Sequence, residues 1–153
     1  MTTGLFQLTF LLAGPFWALM ILAPSWRWTS RIIGSPLIVL PPVLIYVVLV
    51  LPNLLEVLPI VSSPTLIGVQ TLLGTPTGAA IGWAHFIAFD LFVGRWEYLD
   101  ARQRGVHPLV MAPVLLLTIL LAPLGMLVYC AVRALPWRRA STTSRRDAAP
   151  LTA

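Results

Sequence analysis

Apolar residues in this chain come in long unbroken blocks, without the short alternation of a water-soluble fold, and polar residues gather in the intervals between the blocks. The first block runs from about Leu5 to Pro24, long enough at about 1.5 Å per residue to cross roughly 30 Å of hydrocarbon, with a kink expected at Pro15. No basic leader precedes it and no small-residue cleavage pattern follows it, so it reads as a retained span and not as a signal peptide. The polar link SWRWTSR comes next, with Trp26 and Trp28 suited to the headgroup level and Arg27 and Arg31 to lipid phosphates. A second block covers about 35–55 and is interrupted early by Pro41 and Pro42. Prolines 52, 59, 64 and 76 then punctuate a loop, inside which Thr65–Leu73 is apolar but too short to span and is expected to form a short interfacial or re-entrant helix. A third block covers about 78–100. After the polar turn ARQRGVHP a fourth covers about 109–132, with Pro113, Pro123 and Gly125 inside it.

This pattern predicts an all-α integral membrane bundle of four transmembrane helices, with a short interfacial helix between the second and the third, filling residues 1–134. Residues 135–153 then form a polar, basic tail of disordered composition. Composition agrees: 58% of the 153 residues are hydrophobic and only 10% charged, far from a soluble domain. The net charge of +5 comes from arginine alone, and in this setting it points to membrane lipids as partners and not to nucleic acid. Four spans put both termini on one side, with five arginines on each face, which leaves the arginine rule nearly balanced and favours the tail side as cytoplasmic only slightly. The expected location is a bacterial inner membrane, crossed several times. Cys130, alone in an apolar run, reads as a packing residue.

The third block departs from the apolar rule. WAHFIAFDLFVGRWEYLD, Trp83 to Asp100, holds three of the five acidic residues, one of the two histidines and Arg95. An ionisable group inside a membrane costs roughly 2.5–3.5 kcal/mol on insertion scales, so such groups face a bundle interior and mark a site. At about 100° per residue, Asp100, Glu97 and Asp90 lie near 60°, 120° and 140° from His85 on one broad face, while Arg95 lies near 280° and must find another helix or the headgroups. Counted from Gly78 by helix rise, Asp90 is ~18 Å deep and His85 ~10 Å. A carboxyl at that depth with no cation beside it keeps its proton near neutral pH and can act as an acid, and His85 can relay a proton. The plainer alternatives are that Asp90 binds Arg95 or a backbone group and locks the bundle, and that His85 is interhelical glue. Glu97 and Asp100, near the segment's end, read as solvated interfacial carboxylates. Gln7, Asn53, Glu56 and Gln70 fall on the membrane side where the third helix begins and outline a polar pocket there, with Glu56 nearer His85 than Arg95. His85 and His107 do not form a metal signature, and GTPTGAAIG at 74–82 lacks the lysine and the preceding strand of a phosphate loop.

The third and fourth segments resemble the abscisic-acid-deficient-4-like family of membrane proteins, whose plant member is associated with neoxanthin synthesis. The matching residues are Trp83, His85, Asp90, Leu91, Phe92 and Arg95 in W-x-H-x4-D-L-F-x2-R, then Asp100 and the pair Pro123-x-Gly125. Gly94 and Trp96 depart from the plant pattern. The resemblance implies carotenoid chemistry, in which an epoxide end group opens to an allenic one without a change of composition and without a cofactor or metal. It implies Asp90 as the acid, His85 as the base and Arg95 as the group that holds a polar end, with a carotenoid or other isoprenoid as ligand. Two other functions fit the same residues: a small membrane scaffold with an interhelical polar network, and a proton-coupled transporter with its proton site at Asp90.

Overall fold

The structure is a computed structural model that describes residues 1–137, so most of the tail expected from 135 onward lies outside the described residues. Those residues form helices and turns without a strand. In order they are α1 (Thr2–Leu22), α2 (Arg27–Gly34), a 3₁₀ turn leading into α3 (Leu40–Val50), a second 3₁₀ turn leading into α4 (Leu54–Ser62), α5 (Leu66–Leu73), α6 (Pro76–Arg104), α7 (Pro108–Leu120) and α8 (Ala122–Ala134). Three stretches are long and apolar enough to cross a membrane: Thr2–Leu22, Pro36–Ser62 and Pro76–Arg104.

Helix α6 is the axis on which the rest is assembled. Its start is fixed by Thr75, whose Oγ1 accepts from the Gly78 N–H at 2.9 Å, and by Pro76 at the first helical position. Its end is fixed by Gly105, the one described residue with positive φ, at 75°. Helix α1 runs parallel to α6: the Phe6 and Trp83 rings stack at 5.2 Å, the Trp17 ring lies on Gly94, and the Tyr98 hydroxyl donates to the Pro24 carbonyl at 2.8 Å. Gly94 admits that ring because any Cβ would occupy its place. The α3–α4 stretch runs the other way, with Arg95 at the Ile33 carbonyl, Tyr46 beside His85, and Val57 packed with Ala80 and Ile81.

The single fourth span expected over 109–132 is two helices of 13 residues each, broken at Leu121, where φ is −148° and ψ is 73°. Helix α7 starts at His107, whose Nδ1 accepts from the Leu109 N–H at 3.2 Å, and descends antiparallel to α6 until Thr118 meets Glu97. Helix α8 then climbs back, bringing Tyr129 and Arg133 to Asp100. The cause is local. Pro123 has no N–H for the Ile119 carbonyl and suits the first turn of a new helix. Gly125 lets the two backbones touch, since a Cβ there would lie 2.5 Å from the Thr118 N and Cα atoms. At about 20 Å each, neither helix reaches across roughly 30 Å of hydrocarbon.

The hairpin changes the charge distribution expected above. The N-terminus and Trp137 lie at opposite ends of α6, and all six described arginines, Arg27, Arg31, Arg95, Arg102, Arg104 and Arg133, lie toward the α6 C-terminal end. Among the described residues the other end holds Glu56 and no arginine or lysine. The balance of five against five therefore does not hold.

Candidate functional site

The α7–α8 turn stops beside the middle of α6, and an open cavity of about 870 Å³ lies between them. Its walls are Phe10 from α1, Trp83, Phe86, Phe89, Asp90 and Val93 from α6, and the run Ile119–Pro123 with Met126 from the hairpin. Asp90 is its one charged residue. The carboxyl is half-buried and has no hydrogen-bond or ion-pair partner among the described residues. The Trp83 indole N–H is buried and also lacks a partner.

The broken helix adds backbone groups to this wall. In a continuous helix the Thr118, Ile119 and Leu120 carbonyls would accept from residues 122, 123 and 124. Here Pro123 has no N–H, and the Leu124 N–H turns to the Leu121 carbonyl at 3.0 Å. Non-helical backbone at membrane depth persists where it lines a cavity, as it does opposite Asp90. An apolar, aromatic chamber that carries one acid and a few unspent backbone groups can hold an elongated apolar molecule by shape and act on a single polar end.

Asp90 is the only one of the three expected catalytic residues in this wall. His85 is exposed and stacks on Phe89 at 4.7 Å, with the Tyr46 ring 5.7 Å away, and it does not line the cavity. Arg95 finds its partner on another helix: Nε donates to the Ile33 carbonyl at 2.8 Å and the Ser35 carbonyl at 3.2 Å, and Nη2 donates to Gly34. It closes the C-terminal end of α2, where a cation suits the free carbonyls, and it does not bind Asp90. Asn53 donates to the Leu49 carbonyl at 2.8 Å and Glu56 is exposed, so neither they nor the glutamines contribute to the cavity. No group of three metal-ligating side chains occurs among the described residues.

The two carboxylates expected to be solvated are engaged. Glu97 is 0% exposed, as is Thr118. Thr118 Oγ1 lies 2.8 Å from Glu97 Oε2 and 3.0 Å from the Val114 carbonyl, while Glu97 Oε1 is buried with no partner. The Thr118 hydroxyl donates to Glu97 Oε2 and shares its single proton with the Val114 carbonyl. Asp100 Oδ2 accepts from Arg104 Nε at 2.7 Å, Arg133 Nε at 2.8 Å and the Tyr129 hydroxyl at 2.6 Å, tying the end of the hairpin to α6. The residues that sequence reasoning missed are Phe10, Val93, those of the hairpin turn and Met126. The hairpin's signal was Pro123-x-Gly125 inside an apolar run, read there as part of one span.

No curated protein and no solved structure matches the chain. The family model described as ABA DEFICIENT 4-like matches residues 4–129, which takes in the first span from Gly4 on, the other two spans and both arms of the hairpin as far as Tyr129. The chain is a membrane protein and belongs to the ABA DEFICIENT 4-like family.

Proposed function

We propose that the cavity beside Asp90 receives the end group of a carotenoid or related isoprenoid, and that Asp90 is the acid of a cofactor-independent isomerisation there. What carries this reading is an unpaired carboxyl as the only charged group in a large aromatic cavity. Family membership adds the substrate class. Asp90 protonates the epoxide oxygen, the ring C–O bond opens, and a proton leaves the adjacent carbon. His85 lies outside the wall, so the Asp90 carboxylate left by the first transfer is the base at hand, and the composition of the ligand is unchanged.

The same reading places three spans and one re-entrant hairpin in the bilayer. The arginine-bearing end faces the cytoplasm, by the preference of arginine for cytoplasmic flanks. The scaffold alternative, which expects Asp90, Arg95 and His85 to form an interhelical network, finds such a bond only at Arg95, while Glu97 and Asp100 supply other ties between the helices. The two separate on one experiment: the protein and its Asp90→Asn variant are purified in mild detergent from a host that makes epoxy-carotenoids, and the pigments bound and produced are identified. A polyene bound by the native chain, with its conversion lost in a folded Asp90→Asn protein, supports the site. A colourless native protein and an unchanged pigment profile support the scaffold.

A further inference from the structure

The main cavity does not end at Val93. A second cavity of about 260 Å³, lined by Phe92, Val93, Trp96 and Met126, shares Val93 and Met126 with the first. Phe86, Phe89 and Phe92 follow one another along α6, each more than half exposed, with Trp83 near one end of the lane and Trp96 near the other. By helix rise the lane from Trp83 to Trp96 is about 20 Å long. It is wide where Asp90 and the hairpin turn stand, and narrow and without a charged or polar lining group beyond Met126, except the Trp96 indole.

We propose that the two cavities are one binding groove for a ligand with a bulky neutral end and a linear apolar chain, and that Met126 sets how long a chain it accepts. The end group occupies the wide part at Asp90, and the chain leaves between Val93 and Met126 toward Trp96. This rests on the reading of the cavity as an isoprenoid site and adds to it the direction of the ligand and the residue that measures it. The lining supports a neutral end over a phosphate or carboxylate head, because its one ionisable group is an acid and neither an arginine nor a lysine lines either cavity. Met126 suits the division, being 42% exposed on α8 with an unbranched side chain that can swing from the passage.

The test uses the full chain in zwitterionic nanodiscs and three ligands that share a hydroxylated ring and differ in chain length: 3-hydroxy-β-ionone, 3-hydroxyretinol and zeaxanthin. Retention over empty discs is measured for the native protein, Met126→Leu and Met126→Phe. Met126→Phe is expected to weaken the two longer ligands about tenfold or more, the cost of forcing a chain past an overfilled passage, and to weaken the ionone far less. Met126→Leu is expected to keep the native profile. Val93→Phe narrows the passage from the α6 side and gives the same result if Met126→Phe does not fold. Equal weakening of all three ligands, or of none, overturns the role of Met126 while the cavity reading stands. Retention of none by the native protein overturns both, as does a tightly held phospholipid that all three fail to displace.

Discussion

Replacing Gly125 by alanine distinguishes the hairpin from a straight fourth span by the sign of its effect. In a straight helix residue 125 would be an ordinary interior position, and glycine to alanine there stabilises by about 0.8–1 kcal/mol. In the hairpin the added Cβ would meet the Thr118 N and Cα atoms at 2.5 Å, where ordinary contact begins near 3.4 Å. The obstacle is backbone, which cannot rotate away, so α7 and α8 must separate by close to 1 Å. Overpacking of this kind costs about 1–3 kcal/mol, and the displacement of Thr118 from Glu97 leaves a buried carboxyl without its partner, at about 1–3 kcal/mol more. After the gain in propensity is subtracted, a net loss of about 1–5 kcal/mol is expected. Unfolding in mixed micelles, titrated with a denaturing detergent and followed by tryptophan fluorescence, measures it. Gly14→Ala is the control: a Cβ at Gly14 has nothing within 4 Å, so no contact opposes the change. A Gly125→Ala protein as stable as the native one, or more so, would refute the hairpin.

Three other outcomes follow from the same geometry. In a Cys130→Ser background, single cysteines placed at Ser63 and at Ser25 should react with a membrane-impermeant maleimide from opposite faces of intact cells, Ser63 from outside; labelling of both from one face would contradict the charge asymmetry. Glu97→Gln, whose amide oxygen can still accept from Thr118, should keep most of the stability, whereas Glu97→Ala, which opens a cavity between α6 and α7, should lose about 2–4 kcal/mol; equal stability of the two variants would show that the Glu97–Thr118 contact holds nothing. Asp100→Asn should cost about 1–2 kcal/mol, since it weakens three charge-assisted bonds whose arginines are partly solvated, whereas Asp90→Asn should leave stability within about 0.5 kcal/mol because no bond is lost. Chemical unfolding of the two variants side by side decides it.

Hydropathy made most of the fold legible. The expected spans at 5–24, 35–55 and 78–100 correspond to Thr2–Leu22, Pro36–Ser62 and Pro76–Arg104, and the short helix expected at Thr65–Leu73 is Leu66–Leu73. The fourth span failed because hydropathy averages over a window, and two apolar helices of 13 residues score like one of twice the length. What separates them is whether a backbone can approach closely at Gly125 and whether a donor is missing at Pro123. Both are local facts whose meaning depends on what packs there. The polar end of α6 misled for a related reason. Distance along the sequence put Glu97 near the water, but a hairpin that enters from the same side covers it.

Of the four residues expected on one face of α6, Asp90, Glu97 and Asp100 are turned to the hairpin, whereas His85 sits beside Tyr46 of α3. The hairpin meets each carboxyl at a different depth and with different chemistry. At the mouth its returning arm brings Arg133 and the Tyr129 hydroxyl to Asp100, joined by Arg104 of α6 itself, and the charge is answered. One turn deeper only Thr118 is on hand, and it supplies a single hydrogen bond to one of the two carboxyl oxygens. Deepest, at Asp90, the hairpin turns back before any side chain reaches the carboxyl, leaving space and broken-helix backbone. A chain selected only to hold its helices together would gain by closing that last gap with one more donor, as it does at the other two levels. The open level is the one that holds the cavity, and Asp90 is the carboxyl of the three without a partner among the described residues, which is what the proposed ligand site rests on.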